Sequence, residues 1–112
     1  MPFINTKVNT PITPAQEETL KTEFGKAIRL IGKSEAWLML SFEENCRLYF
    51  KGTADPCAIM EVKLYGRADG GAYDALTARL TELLSKTLGI SPGRIYVKYD
   101  EVSYWGLGGS NF

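Results

Sequence analysis

Apolar and polar residues alternate along several stretches of the chain, and elsewhere apolar residues recur every three or four positions. Alternation marks a strand with one buried face, and the wider period marks a helix with an apolar stripe. The first alternating run covers residues 2–8. Thr13-Pro14-Ala15-Gln16 then opens a helix, with Thr13 as the cap, proline at the first helical position and Gln16 completing a capping box. Leu20, Phe24, Ala27, Ile28 and Ile31 carry the helical stripe until Gly32 ends it. Ala36 to Glu43 reads as a strand, followed by a hairpin through Glu44-Asn45 into a second strand from Arg47 to Lys51. Gly52 to Pro56 is a loop, and Cys57 to Tyr65 is a long strand closed by Gly66. Gly70-Gly71 precede a second helix whose stripe is Tyr73, Leu76, Leu80, Leu83, Leu84 and Thr87, ended by Gly89. Ser91-Pro92-Gly93 turns the chain into a last strand, Arg94 to Asp100.

The two halves overlay. A shift of 57 positions carries Gly32 onto Gly89, Leu38 onto Ile95, Leu40 onto Val97 and Phe42 onto Tyr99. The chain therefore reads as a tandem β-α-β duplication. Right-handed crossovers then give an α+β domain: a four-stranded sheet with both helices on one face. Leu38, Leu40, Phe42, Met60, Val62, Leu64, Ile95, Val97 and Tyr99 share the parity of the helix-facing side. The other side carries Trp37, Met39, Ser41, Ile59, Glu61, Lys63, Tyr65, Tyr96, Lys98 and Asp100. That mixture is too aromatic for open solvent and too charged for a core, so it points to burial against other subunits.

Composition narrows the chemistry. At 112 residues the chain is long enough for one domain, residues 1–112. Its 13 basic and 13 acidic residues cancel without forming runs, which argues against nucleic acid or a membrane surface as partner. No basic leader with a long apolar run is present, so the expected location is the cytoplasm, with leaderless secretion as the alternative. There is no histidine, which removes Ser-His-Asp triads, Cys-His pairs and histidine-containing zinc sites. Cys46 and Cys57 lack ligand spacing and are expected as reduced thiols, at least one of them packed as a small hydrophobe.

Without histidine, an acid or base has to come from elsewhere, and Met1-Pro2 supplies one. Removal of Met1 ahead of a small residue would leave a free secondary amine at the end of a strand. Burial in an apolar pocket disfavours the ammonium form and makes that nitrogen a base at neutral pH. Lys33 directly follows the helix-ending Gly32, where, taken alone, a cation simply complements the helix dipole. Taken singly, Tyr65, Tyr96, Trp37 and Trp105 are ordinary packing residues.

Taken together, the motifs resemble the macrophage migration inhibitory factor family of the tautomerase superfamily. The resemblance rests on Met1-Pro2 opening a strand, Gly32-Lys33, Gly52-Thr53-Ala54-Asp55-Pro56-Cys57-Ala58 and Gly70-Gly71. It continues through Gly89-Ile90-Ser91-Pro92-Gly93-Arg94-Ile95-Tyr96 and the tail Trp105 to Phe112. It implies a homotrimer with active sites at subunit interfaces and a keto–enol tautomerase acting on small aromatic α-keto acids such as phenylpyruvate, or on dopachrome-type compounds. No cofactor and no metal are implied. By that resemblance Pro2 is the catalytic base, and Lys33 and the Tyr65 backbone hold substrate oxygens. Tyr96 of a neighbouring subunit, Trp37 and Trp105 line the pocket. A cytokine-like binding protein that engages a protein receptor is the alternative, and another superfamily reaction such as decarboxylation or dehalogenation is a third reading. This chain departs from the animal cytokines in three places: Cys57-Ala58-Ile59-Met60 lacks their Cys-x-x-Cys, Lys98 replaces an asparagine, and Leu107 replaces a tryptophan.

Overall fold

Strand β1, Pro2–Val8, buries every second residue: Ile4, Thr6 and Val8 are fully enclosed while Phe3, Asn5 and Lys7 face the other way. The computed structural model, which describes residues 1–112, places β1 at the centre of a four-stranded sheet. Helix α1, Pro14–Ala27, starts as its capping box requires, with the Thr13 hydroxyl accepting from the Gln16 N–H and the Gln16 side chain accepting from the Thr13 N–H. It tightens into a 3₁₀ turn, Ile28–Ile31, and stops at Gly32 with φ of 73°, the left-handed conformation that glycine adopts without steric cost.

A second 3₁₀ turn, Glu35–Trp37, leads into β2, Met39–Glu43, which lies parallel to β1. Strand β3, Ala58–Tyr65, is antiparallel to β1, and β4, Ile95–Val102, is parallel to β3. Between them runs α2, Gly70–Leu88, which ends at Gly89 with the same φ of 73° that ends the first helical segment. The sheet order is β2-β1-β3-β4, so the two β-α-β halves meet along the β1–β3 seam. The duplication and the α+β architecture read from the sequence are therefore present.

The core lies between the helices and one sheet face. Phe24, Leu20 and Ile28 from the first helical segment and Leu76, Leu80 and Leu84 from α2 close over Ile4, Met60, Val62 and Leu64. Leu38, Leu40, Phe42, Ile95, Val97 and Tyr99 pack against the rim of this cluster. Cys57 is buried and Cys46 half-buried, both as free thiols.

Four local readings need correction. Arg47 to Lys51 is not a strand; only an isolated bridge joins Phe50 to Thr53. Asn45 and Lys51 take positive φ values of 54° and 53°, which bends the chain out of strand geometry at both ends of the expected hairpin arm. Ala36 and Trp37 belong to the 3₁₀ turn, because the Ser34 hydroxyl accepts from the Ala36 N–H and captures the backbone before the strand begins. Gly70 and Gly71 lie inside the first turn of α2, since Asp69 is the cap and accepts from the Ala72 N–H. Finally, the tail forms a small hairpin of β5, Gly106–Leu107, and β6, Ser110–Asn111, which the alternation did not signal.

Candidate active site

Pro2 is buried at the first position of β1, with β3 beside it: Pro2 stands opposite Leu64. Its neighbour Phe3 is paired with Met39 on the other flank. Tyr65, next along β3, uses both of its backbone groups here. Its N–H donates to the Met1 carbonyl at 3.2 Å, and its carbonyl accepts from the Lys33 Nζ at 3.1 Å. One residue thus fixes both the start of the chain and the ammonium group. Lys33 reaches this point because Gly32 reverses the chain at the end of the 3₁₀ turn, and the Lys33 N–H bonds back to the Ile28 carbonyl.

The electrostatics follow from that proximity. Burial first, and then the like charge of Lys33, hold the Met1 ammonium below the ordinary range of an α-amino group. With Met1 attached, the Pro2 nitrogen is an amide nitrogen and is not basic. Pro2 is buried and Met1 only half-buried.

A cavity of about 340 Å³ opens beside Pro2. Its wall is largely apolar: Met1, Pro2, Phe3, Trp37, Met39, Trp105 and Leu107 line it together with Gly106. The structure therefore brings together Pro2, Trp37 and Trp105, and joins Lys33 to them through the Tyr65 backbone. The Tyr65 ring turns aside and packs at 5.7 Å from Phe112.

Tyr96 is elsewhere. It pairs with Ile59, five residues of β3 away from the Leu64 that faces Pro2, a separation of about 17 Å along the strand. There its ring meets Phe50 edge-on at 4.9 Å, beside an apolar hollow of about 170 Å³ lined by Leu48, Tyr49, Phe50 and Ile59 among others. Arg94 stacks over Phe50 at 5.2 Å and donates to the carbonyls of Thr53, Asp55 and Pro56, which fixes this corner. Lys98 pairs with Asp100 at 3.3 Å on the open sheet face.

Sequence reasoning assigned no role to Phe3 or Met39. Their signal was available: both lie on the face that carries Trp37, Phe3 in the strand that Pro2 opens and Met39 in the strand beside it. No group of three or more Cys, Asp or Glu side chains is placed to hold a metal ion, and no helix is long and apolar enough to cross a membrane.

The geometry has a close counterpart among known proteins. A family model described as macrophage migration inhibitory factor (MIF) matches residues 1–112. The chain is 28% identical to macrophage migration inhibitory factor of Rattus norvegicus, with 100% of this chain and 99% of the relative covered. The crystal structure of Leishmania major MIF2 superposes with a TM-score of 0.94 at 29% identity, covering 100% of this chain and 97% of that one. The homologue from Prochlorococcus marinus does so with a TM-score of 0.90 at 28% identity, covering 98% of each chain. A buried proline opening a central strand, a lysine ammonium tied to the strand beside it, and a match along the entire chain lead to one assignment: this protein belongs to the macrophage migration inhibitory factor family.

Proposed function

We propose that this protein is a keto–enol tautomerase for small aromatic α-keto acids of the phenylpyruvate type, with the Pro2 amine, freed by removal of Met1, as its general base. The observation that carries this reading is the shared anchor at Tyr65. Tyr65 ties down both the Lys33 ammonium and the start of the chain, where buried Pro2 borders an apolar cavity, and this supports the reading.

The chemistry follows from the groups present. The neutral Pro2 nitrogen takes a proton from the carbon next to the substrate carbonyl. Negative charge moves onto the carbonyl oxygen, where the Lys33 ammonium stabilises it as it forms. The prolinium then returns its proton to that oxygen, giving the enol; ketonisation runs the same steps backwards. Trp37, Trp105 and Leu107 offer flat and branched apolar surface to an aryl ring and exclude water. Because Tyr96 lies far from Pro2 within one chain, its contribution to the pocket has to come from a neighbouring copy. This favours a homotrimer with its sites between subunits.

The test starts with intact mass, to establish that Met1 is absent. Phenylpyruvate interconversion is then followed by ultraviolet absorbance in the wild type, Pro2→Gly and Lys33→Ala. Replacing the rigid ring amine by the mobile primary amine of glycine weakens the base and should lower kcat/KM, by up to the roughly 10²–10⁴-fold that a positioned base contributes. Lys33→Ala should act mainly through transition-state binding. A Pro2→Gly protein that turns over at the wild-type rate overturns the proposal.

A further inference from the structure

Lys33 does not hold its own position. The carbonyl that receives its ammonium belongs to Tyr65, the last residue of β3, and the chain turns sharply just beyond it at Gly66, with φ of 84°. The exactness of the Lys33 placement therefore depends on what holds residues 65–68. Two groups outside the cavity do so. The Gly66 N–H donates to the Val102 carbonyl at 3.0 Å, and the Ala68 N–H donates to the Tyr73 hydroxyl at 3.2 Å. That hydroxyl in turn donates to the Glu101 carboxylate in a short hydrogen bond.

Tyr73 is itself held from behind. Its ring packs against that of Tyr99, with centroids 4.4 Å apart, and its backbone carbonyl accepts from the Tyr99 hydroxyl at 3.2 Å. Tyr99 also meets the Thr77 hydroxyl at 2.8 Å. A run of bonded groups thus leads from the first turns of α2 through Tyr73 to Ala68, in the turn just after the Lys33 acceptor Tyr65, with Glu101 of β4 holding the Tyr73 hydroxyl. Glu101 stands opposite Leu64 in the β3–β4 register, and Leu64 is the residue opposite Pro2.

We propose that Tyr73 and Glu101 are positioning residues for Lys33, setting how closely its ammonium lies to the N-terminal amine. Neither residue lines the Pro2 cavity. They act through the backbone of residues 65–68, so their loss lets the Tyr65 carbonyl drift and carries the ammonium away from the amine. Lys33 is the charged side chain acting on that amine. Lys63 and Tyr65 at the end of β3, Arg67 and Asp69 on the turn, and Asp100 and Glu101 towards the end of β4 are the other titratable groups nearest this point in the sheet register.

The role in catalysis rests on the tautomerase reading, so the test includes a readout that needs no turnover. The pH dependence of acylation of the N-terminal amine, read by mass on the N-terminal peptide, gives its titration midpoint in the folded protein. Tyr73→Phe keeps the ring packing on Tyr99 and removes only the hydroxyl. Its midpoint should rise towards that of Lys33→Ala, and Tyr73→Phe added to Lys33→Ala should raise it no further. Glu101→Ala should behave like Tyr73→Phe. Glu101→Gln, whose amide oxygen still accepts from Tyr73, should restore most of the difference.

In the kinetic arm, Tyr73→Phe should lower kcat/KM for phenylpyruvate about tenfold, within the range that an ångström of misplacement produces. Added to Lys33→Ala, it should cost nothing more. An unchanged midpoint in a folded Tyr73→Phe protein overturns the proposal, as does an equal rise in both backgrounds, the mark of a merely structural role. If Pro2→Gly keeps full activity the tautomerase reading falls, while the midpoints still decide whether Tyr73 places Lys33.

Discussion

Thr6 is an odd member of the core. It sits in the middle of β1 with no exposed surface, and its hydroxyl has no hydrogen-bond partner. An enclosed hydroxyl without a partner carries its full desolvation cost, so Thr6→Val should raise stability by about 1 kcal/mol. A higher urea midpoint with an unchanged slope is the expected result; a lower midpoint would mean that the hydroxyl is satisfied in solution. At the same scale, the pair of effects on the terminal amine sets a pH profile. Burial and Lys33 both lower the pKa of the Met1 amine; the Pro2 amine freed by removal of Met1 should meet the same two effects, and only a neutral amine is a base. The rising limb of kcat/KM with pH should therefore have its midpoint below the ordinary α-amino range of about 7.7–8.0. In Lys33→Ala the rising limb should move to higher pH. Single residues were the most legible part of the site. Pro2, Lys33, Trp37 and Trp105 could be named because residue type and motif order suffice for them. Tyr73 and Glu101 could not, because their importance lies in a hydrogen bond between residues 28 positions apart.

Among the elements, the connection from β2 to β3 departs most from its expected form. Alternation suggested a strand from Arg47 to Lys51, but alternation alone does not provide a partner for the backbone. Here Cys46 N–H donates to the Val8 carbonyl and Asn45 N–H to the Thr10 carbonyl, so the chain continues alongside the end of β1. Asn9 then gathers the rest. Its amide donates to the carbonyls of Ala54 at 3.0 Å and Asp55 at 3.1 Å, and its oxygen accepts from the Cys57 N–H at 2.8 Å. Asn9→Ala should leave these groups unpaired and destabilise the protein by about 1–3 kcal/mol. Hydrogen exchange at the Cys57 amide should quicken more than exchange in α1, and equal protection at both would count against the assignment. The regular elements were readable because their caps and stripes are local: Thr13, Gln16, Gly32 and Gly89 act within a few residues of themselves. The tail hairpin at Gly106–Asn111 was not, because two-residue strands are too short to show a period.

At the level of the molecule, the sheet has one face with no partner in the chain. Ser41, Asn5, Glu43 and Glu61 are linked across it by hydrogen bonds, with Lys7 and Lys98 alongside. Exposed pairs of this kind contribute little by themselves, and the aromatic groups around them, Trp37 at 56% and Tyr96 at 58% exposure, remain uncovered. The trimer proposed above would cover the open face and bring a neighbour's Tyr96 to Pro2. If each pocket draws Pro2 from one subunit and Tyr96 from the next, Pro2→Gly and Tyr96→Ala proteins should each be impaired. Mixed and reassembled subunits should then regain part of the activity. Sedimentation should give three times the chain mass, and absence of recovery in verified mixed trimers would sink the shared-pocket arrangement. The face was legible from parity alone; what covers it was not, because period-two alternation records which side a residue takes and not what lies beyond it.

The twin left-handed glycines that close the two helical segments at φ 73° belong to halves meeting along a single seam, β1 against β3. Severing the polypeptide between residues 52 and 56 would accordingly yield a pair of fragments of kindred design, each with a greasy flank only its sibling can shelter. Such fragments should regain the native fold on being mixed and not apart.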